Sequence, residues 1–293
     1  MIRKVGLIID RLTDCWIVEA LAERDYDIIL YDPSIEILEQ EKRQVEIDLD
    51  KRIAKWALTE SEKKVILSHI KLETDFYKLQ EADFILESIK SQPELKREIL
   101  LKLDQMIPKE TIIASNSSIL SLSNFAEGAK HPERMIGVHF FYNVVEIVPG
   151  KNTSPETFET LSQLVKSLDK KDIYVQESPG FVTTRLRLQL MNEAINILSE
   201  GIASAEDIEE SMKIGLGMKE GPLEMVDGFG LKYILRLMEQ LSLELGEQKF
   251  TPSPLLKTYI DAGCFGKKNG KGFFEYDENG QRIKQEASLE VVR

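Results

Sequence analysis

Glu146 follows His139 by seven positions, and this pair carries the plainest chemistry in the chain. An imidazole held by a carboxylate is the usual general acid and base. The run Gly137-Val138-His139-Phe140-Phe141 reads as a strand with the histidine near its C-terminal end, where open α/β sheets place their ligands. Taken alone, a histidine in an apolar strand is more often a core residue satisfied by a neighbour. The serines of Ala114-Ser115-Asn116-Ser117-Ser118 follow another strand end, where their hydroxyls can bind a substrate oxygen or simply cap the next helix. His69 and His131 sit at a polar helix end and before Pro132, and both read as structural.

A second kind of chemistry is implied by position and weakened by residue type. Val5-Gly6-Leu7-Ile8-Ile9 reads as a buried parallel strand and Trp16 to Glu23 as the helix after it, so a phosphate-cradling glycine turn belongs between them. The turn reads Ile9-Asp10-Arg11-Leu12-Thr13-Asp14 instead. Glycine lets a backbone approach a pyrophosphate and leaves the first helical N–H groups to bind it, whereas these side chains are expected to fill that space. An aspartate about 5 Å from a phosphate at an effective dielectric near 20 costs roughly 3 kcal/mol before screening, an amount Arg11 can partly offset. Asp32 stands about twenty residues further on, where an acidic residue accepts from a ribose hydroxyl, or where it simply makes a turn before Pro33 and Ser34.

These residues need a scaffold of strands alternating with helices. Strand patterns at Lys4 to Ile9, Asp27 to Tyr31, Phe84 to Glu87, Thr111 to Ser115, Met135 to Phe141 and Val145 to Val148 predict a doubly wound parallel sheet. Ser34 to Leu58 and Glu60 to His69 predict an inserted helical hairpin, its second helix opened by a Thr59/Glu62 capping box. Beyond Ser178-Pro179-Gly180 the pattern turns helical, with Phe181 to Glu200 as one long helix burying Leu186, Leu190, Ala194 and Leu198. The expected division is residues 1–177 as an α/β domain and 178–293 as an all-α domain.

The composition fits a globular protein: 293 residues, 42% hydrophobic, net charge −12. Such acidity disfavours nucleic acid and anionic membranes as partners, although the lysine-rich stretch from Gly266 to Lys271 offers a local phosphate site. Two cysteines without ligand spacing predict neither a disulfide framework nor a metal site. With no long apolar run, a reducing, cytoplasmic setting is expected.

The chain resembles the 3-hydroxyacyl-CoA dehydrogenases over about its first 276 residues. The carriers are Ala114 to Ser118, Gly137 to Phe141, Ser178-Pro179-Gly180-Phe181-Val182, Glu206-Asp207-Ile208, Gly221-Pro222-Leu223-Glu224 and Phe265 to Phe274. The resemblance implies a Rossmann-type domain, a helical C-terminal domain that usually dimerises, and an acyl-thioester pocket. Residue by residue it makes His139 the catalytic histidine, Glu146 its partner, Ser118 the substrate-binding serine and Lys96 a lysine near nicotinamide and substrate. The departures are equally specific. Ile9, Arg11 and Asp14 replace the three fingerprint glycines, Trp16 another small residue, Ser91 a glutamate and Thr184 the active-site asparagine. Between His139 and Glu146 the family's segment is shorter by about five residues, which leaves Tyr142-Asn143-Val144-Val145.

Retained packing motifs beside lost nucleotide contacts lead to a first expectation of non-redox acid–base chemistry by His139 and Glu146 on an acyl-CoA or acyl-carrier-protein thioester. In that reading no cofactor is used in the usual mode. The alternative is NAD-dependent 3-hydroxyacyl-CoA dehydrogenation, with NAD bound at Asp32 and Lys96. A third reading is a catalytically silent homodimeric partner.

Overall fold

The computed structural model describes residues 2–9, 15–89, 93–116 and 122–283. Its internal contacts divide the chain into two units, 1–181 and 182–293. Among the described residues the first unit is an eight-stranded sheet: β1 (Lys4–Ile8), β2 (Asp27–Tyr31), β3 (Ile70–Glu73), β4 (Phe84–Glu87), β5 (Ile112–Asn116), β6 (Met135–Phe141), β7 (Val144–Pro149) and β8 (Lys171–Tyr174). The spatial order is β3-β2-β1-β4-β5-β6-β7-β8. All neighbours pair in parallel except β6 and β7, which form an antiparallel hairpin. The doubly wound Rossmann-type architecture is therefore as expected, and its strand order reverses between β1 and β4, the place where such sheets bind ligands.

Both faces of the sheet are covered, which is why its strands read as nearly continuous apolar runs. Val5, Leu7, Leu30, Ala114 and Val138 pack on one side under α1 (Cys15–Ala22), α2 (Ile35–Ala54) and α6 (Pro155–Ser167). Ile8, Ile29, Ile85 and Ile113 pack on the other with Leu100 and Leu103 of α4 (Pro93–Met106) and Phe125 of α5 (Leu122–Ala126). The inserted hairpin is α2 with α3 (Glu60–Ser68), and the Thr59/Glu62 capping box is present in full. Leu38, Val45 and Leu49 dock α2 onto the sheet, each worth about 2 kcal/mol of burial.

The second unit holds α7 (Thr183–Ser199), α8 (Ala205–Leu216), α9 (Pro222–Phe229), α10 (Leu231–Leu245) and α11 (Pro254–Asp261). The buried stripe of α7 differs from expectation. Leu188, Met191, Ala194 and Ile195 face inward, and Leu186 is 68% exposed. A strict four-residue spacing drifts around a helix of 3.6 residues per turn, so the stripe that follows one face alternates steps of three and four. No helix among the described residues is long and apolar enough to cross a membrane.

Candidate functional site

The site begins with a tight turn. Phe141 pairs with Val144, so β6 returns into β7 through Tyr142 and Asn143 alone. That register sets His139 directly opposite Glu146, and facing residues of an antiparallel pair share one face of the sheet with Cβ atoms about 5 Å apart. His139 Nδ1 lies 2.6 Å from Glu146 Oε2. A carboxylate only accepts, so Nδ1 carries the proton and the basic lone pair falls on Nε2. Glu146 is fully buried and His139 15% exposed, so the pair interacts through little water. Gly137, on the same face, admits β7 this closely: a Cβ there would stand 3.0 Å from the Val148 carbonyl oxygen. The segment between the two residues is thus a hairpin turn that aligns the pair.

Lys96 takes part in a second cluster on the neighbouring strands. It is 1% exposed, and its ammonium donates to Glu87 at 2.7 Å and to the Ser115 hydroxyl at 3.2 Å. Ser115 in turn donates to the same Glu87 oxygen at 2.9 Å. Asn116 follows, bonded to the Ser88 hydroxyl at 3.0 Å. The matched lysine is therefore committed inward, holding the ends of β4 and β5 together. Ser115 is one of the serines expected to bind a substrate oxygen or cap a helix, and it is turned to Glu87 and Lys96; Glu87 was missed, its signal an acidic residue inside an otherwise apolar strand. Ser118 and Ser91 lie outside the described residues.

At the nucleotide end only Ile9 of the Ile9–Asp14 turn lies among the described residues, with Trp16 in the helix beyond it. Ile9 points into the core beneath α1, and its N–H donates to the Tyr31 carbonyl at 3.3 Å. Trp16 packs edge-on against Phe140, ring centres 5.7 Å apart, with the Lys170 ammonium 4.9 Å above it. Phe140 alternates with His139 along β6, so the indole lies behind the strand, on the face away from the imidazole. Asp10, Arg11 and Asp14 lie outside the described residues. Asp32 is buried at the end of β2 and accepts from Ser34 N at 2.8 Å, the turn its bland reading called for. Its carboxylate still stands beside the strand-order reversal.

In the second unit Thr184 is buried, and its hydroxyl makes no hydrogen bond. The lysine-rich stretch is organised around carboxylates. Lys267 reaches Glu220 at 3.2 Å and Glu224 at 3.4 Å, so it is not an open phosphate site. Buried Asp227 accepts from Phe273 N, Phe274 N and the Tyr276 hydroxyl at 2.8 to 2.9 Å. Gly272 is required there, because a Cβ would come within 2.0 Å of Asp227 Oδ1. Among the described residues no group of three or more His, Cys, Asp or Glu side chains could hold a metal.

A parallel-dominated sheet with this order of strands, followed by a helical unit, defines a two-domain protein of the dinucleotide-binding class. Residues 15–178 match the 3-hydroxyacyl-CoA dehydrogenase NAD binding domain, and 180–276 match that family's C-terminal domain. The 3-hydroxybutyryl-CoA dehydrogenase of Clostridioides difficile is 34% identical over 267 residues, 89% of this chain and 95% of that one. A probable 3-hydroxybutyryl-CoA dehydrogenase of Bacillus subtilis is 35% identical over 89% of this chain and 93% of its own. The crystal structure of the (S)-3-hydroxybutyryl-CoA dehydrogenase of Ralstonia eutropha superposes with a TM-score of 0.86 at 34% identity, covering 95% of this chain and all of that one. The chain belongs to the 3-hydroxyacyl-CoA dehydrogenase family.

Proposed function

We propose that the protein is an NAD-dependent 3-hydroxyacyl-CoA dehydrogenase acting on a short acyl chain such as 3-hydroxybutyryl-CoA. The carrying observation is the His139–Glu146 pair, aligned across the β6–β7 hairpin in a chain that shares nearly its whole length with enzymes of that name. The non-redox and silent-partner readings find no support in those relatives, and the expectation that no cofactor is used in the usual mode falls with them. Supporting this reading among the described residues, the Ile9 side chain is buried in the core, Trp16 packs on Phe140, and an acidic residue, Asp32, closes β2.

When bound, NAD supplies the hydride acceptor. The protein's own share is proton chemistry and orientation. His139 Nε2 takes the proton of the substrate hydroxyl, and Glu146 stabilises the imidazolium that results and keeps the ring in one tautomer. Ser118 donates to the substrate oxygen. Lys96 acts through Glu87 and Ser115, fixing the end of β5 from which the segment bearing Ser118 departs. Thr184 stands in the asparagine's place in the second unit. The setting is cytoplasmic, consistent with two buried free thiols at Cys15 and Cys264.

The test is oxidation of NADH with acetoacetyl-CoA, followed at the nicotinamide absorbance band. Turnover should be lost by a factor of about 10² to 10⁴ in His139→Ala. Absence of NADH oxidation by the wild type, together with no rise in melting temperature at millimolar NAD, would overturn the proposal. In that case dehydration or cleavage of the same thioester without NAD is the reaction to assay.

A further inference from the structure

The His139 ring is flanked by two phenylalanines. Phe141 lies nearly parallel to it at 6.4 Å between ring centres, and Phe181 lies tilted by 58° at 6.3 Å, both within the range of aromatic contact. Phe141 is its neighbour on the same strand face. Phe181 comes from the far end of the unit, and its backbone is unusual: φ is +46°, immediately after Gly180 at +81°. Bulky residues avoid this left-handed region, and residues held there cluster at functional sites. The turn is fixed from two sides. Phe181 N donates to the Ser178 carbonyl at 3.0 Å, and Glu177 accepts from Ser123 N at 2.8 Å and from its hydroxyl, which ties the segment to the start of α5. Phe181 is then buried against Val148 and Val175, and Val148 shares the sheet face of Glu146.

The hydrogen bond to Glu146 fixes one atom of the imidazole, and the outer torsion of a histidine is broad. The tilt of the ring about that bond is set by what packs on its faces, and Phe141 and Phe181 pack there. We propose that Phe181 is a positioning residue, whose ring, aimed by the left-handed turn, holds the imidazole so that Nε2 points at the substrate while Nδ1 stays on Glu146. An apolar plug would not need a phenylalanine in a strained backbone; a ring delivered at one angle does. The assignment rests on the dehydrogenase reading only for its kinetic arm.

The experiment compares Phe181→Leu with Phe181→Tyr, with Phe181→Met as the substitute should the leucine variant not fold. In the assay with NADH and acetoacetyl-CoA, F181L should lower kcat about tenfold or more while KM stays within about twofold, and F181Y should keep kcat within about twofold of wild type. In parallel, the His139 imidazole proton resonances, assigned by their loss in His139→Ala, should lose their ring-current shift in F181L and keep it in F181Y. Wild-type kcat in F181L, equal impairment of F181Y and F181L, or unmoved resonances in F181L would each overturn the assignment. A wild type without NADH oxidation would sink the dehydrogenase reading instead, and the resonances alone would then decide the positioning role.

Discussion

Glu146 is the residue whose chemistry is most sharply set by its surroundings. It is fully buried, and its oxygen meets the histidine at 2.6 Å. Glu146→Gln keeps the shape and removes the charge that stabilises an imidazolium, so kcat should fall by about 10² with KM nearly unchanged, as steady-state kinetics would show. Asp227 gives a different kind of test. Burial pushes its carboxyl up to about 6, against the pull of its three donors and Lys267. Because the folded value lies above the ordinary 3.8, folding favours the protonated form. The stabilisation is complete below pH 3.8 and is lost as pH rises through about 6, a change of about 3 kcal/mol. Urea midpoints should therefore fall between pH 5 and pH 8, and the fall should be smaller in Asp227→Asn. Cys15, by contrast, is chemically quiet: burial, and then its hydrogen bond to Glu41 at 2.7 Å, push the thiol up and keep it protonated. His139 and Glu146 were legible from residue type and strand-end position. The partners of Lys96 and the role of Phe181 were not, since both depend on strands and turns far apart in sequence.

Among the elements, the β6–β7 hairpin and α1 are packed together. The indole of Trp16 packs on Phe140 at the back of that hairpin, while Lys170 covers the indole and donates to the Tyr142 carbonyl at 3.0 Å. Through Trp16 the helix braces the β6–β7 turn. Trp16→Ala should cost about 2 kcal/mol in urea unfolding. It should leave the Kd for NAD within about twofold, whereas a ring plugging the nucleotide site would give tighter binding when removed. Sequence patterns located most helices to within a few residues, because caps such as Ser34, Thr59 and Ser204 mark their starts. They missed β3 and β8, each four residues long at a sheet edge, where Ile70-Lys71-Leu72-Glu73 and Lys171-Asp172-Ile173-Tyr174 lack a continuous apolar run. The antiparallel turn into β7 was legible and not drawn: the expected strands already ended at Phe141 and resumed at Val145, a gap too short for a parallel crossover.

For the molecule as a whole, the two units carry different tasks. The sheet unit holds the proton-moving pair and the nucleotide end, and the helical unit exposes Ile214, Leu216 and Leu243 on its surface. Isolated apolar side chains are ordinary on a monomer, so the homodimer expected from the resemblance is a prediction for solution. Sedimentation equilibrium should give twice the chain mass of 33.5 kDa. With a net charge of −12, a substrate as anionic as a CoA thioester is repelled at long range, so KM should fall as salt is raised from low ionic strength and the repulsion is screened.

The two-residue turn also fixes how this chain can vary. In an enzyme that joins its histidine and glutamate by a long loop, insertions there are absorbed gradually. Here the pleat of the sheet keeps the two side chains on one side, and adding a single residue to either strand would send one of them through to the other. Drift along this hairpin is therefore all or nothing: the dyad persists intact through every substitution that respects the ladder, and vanishes at the first slip.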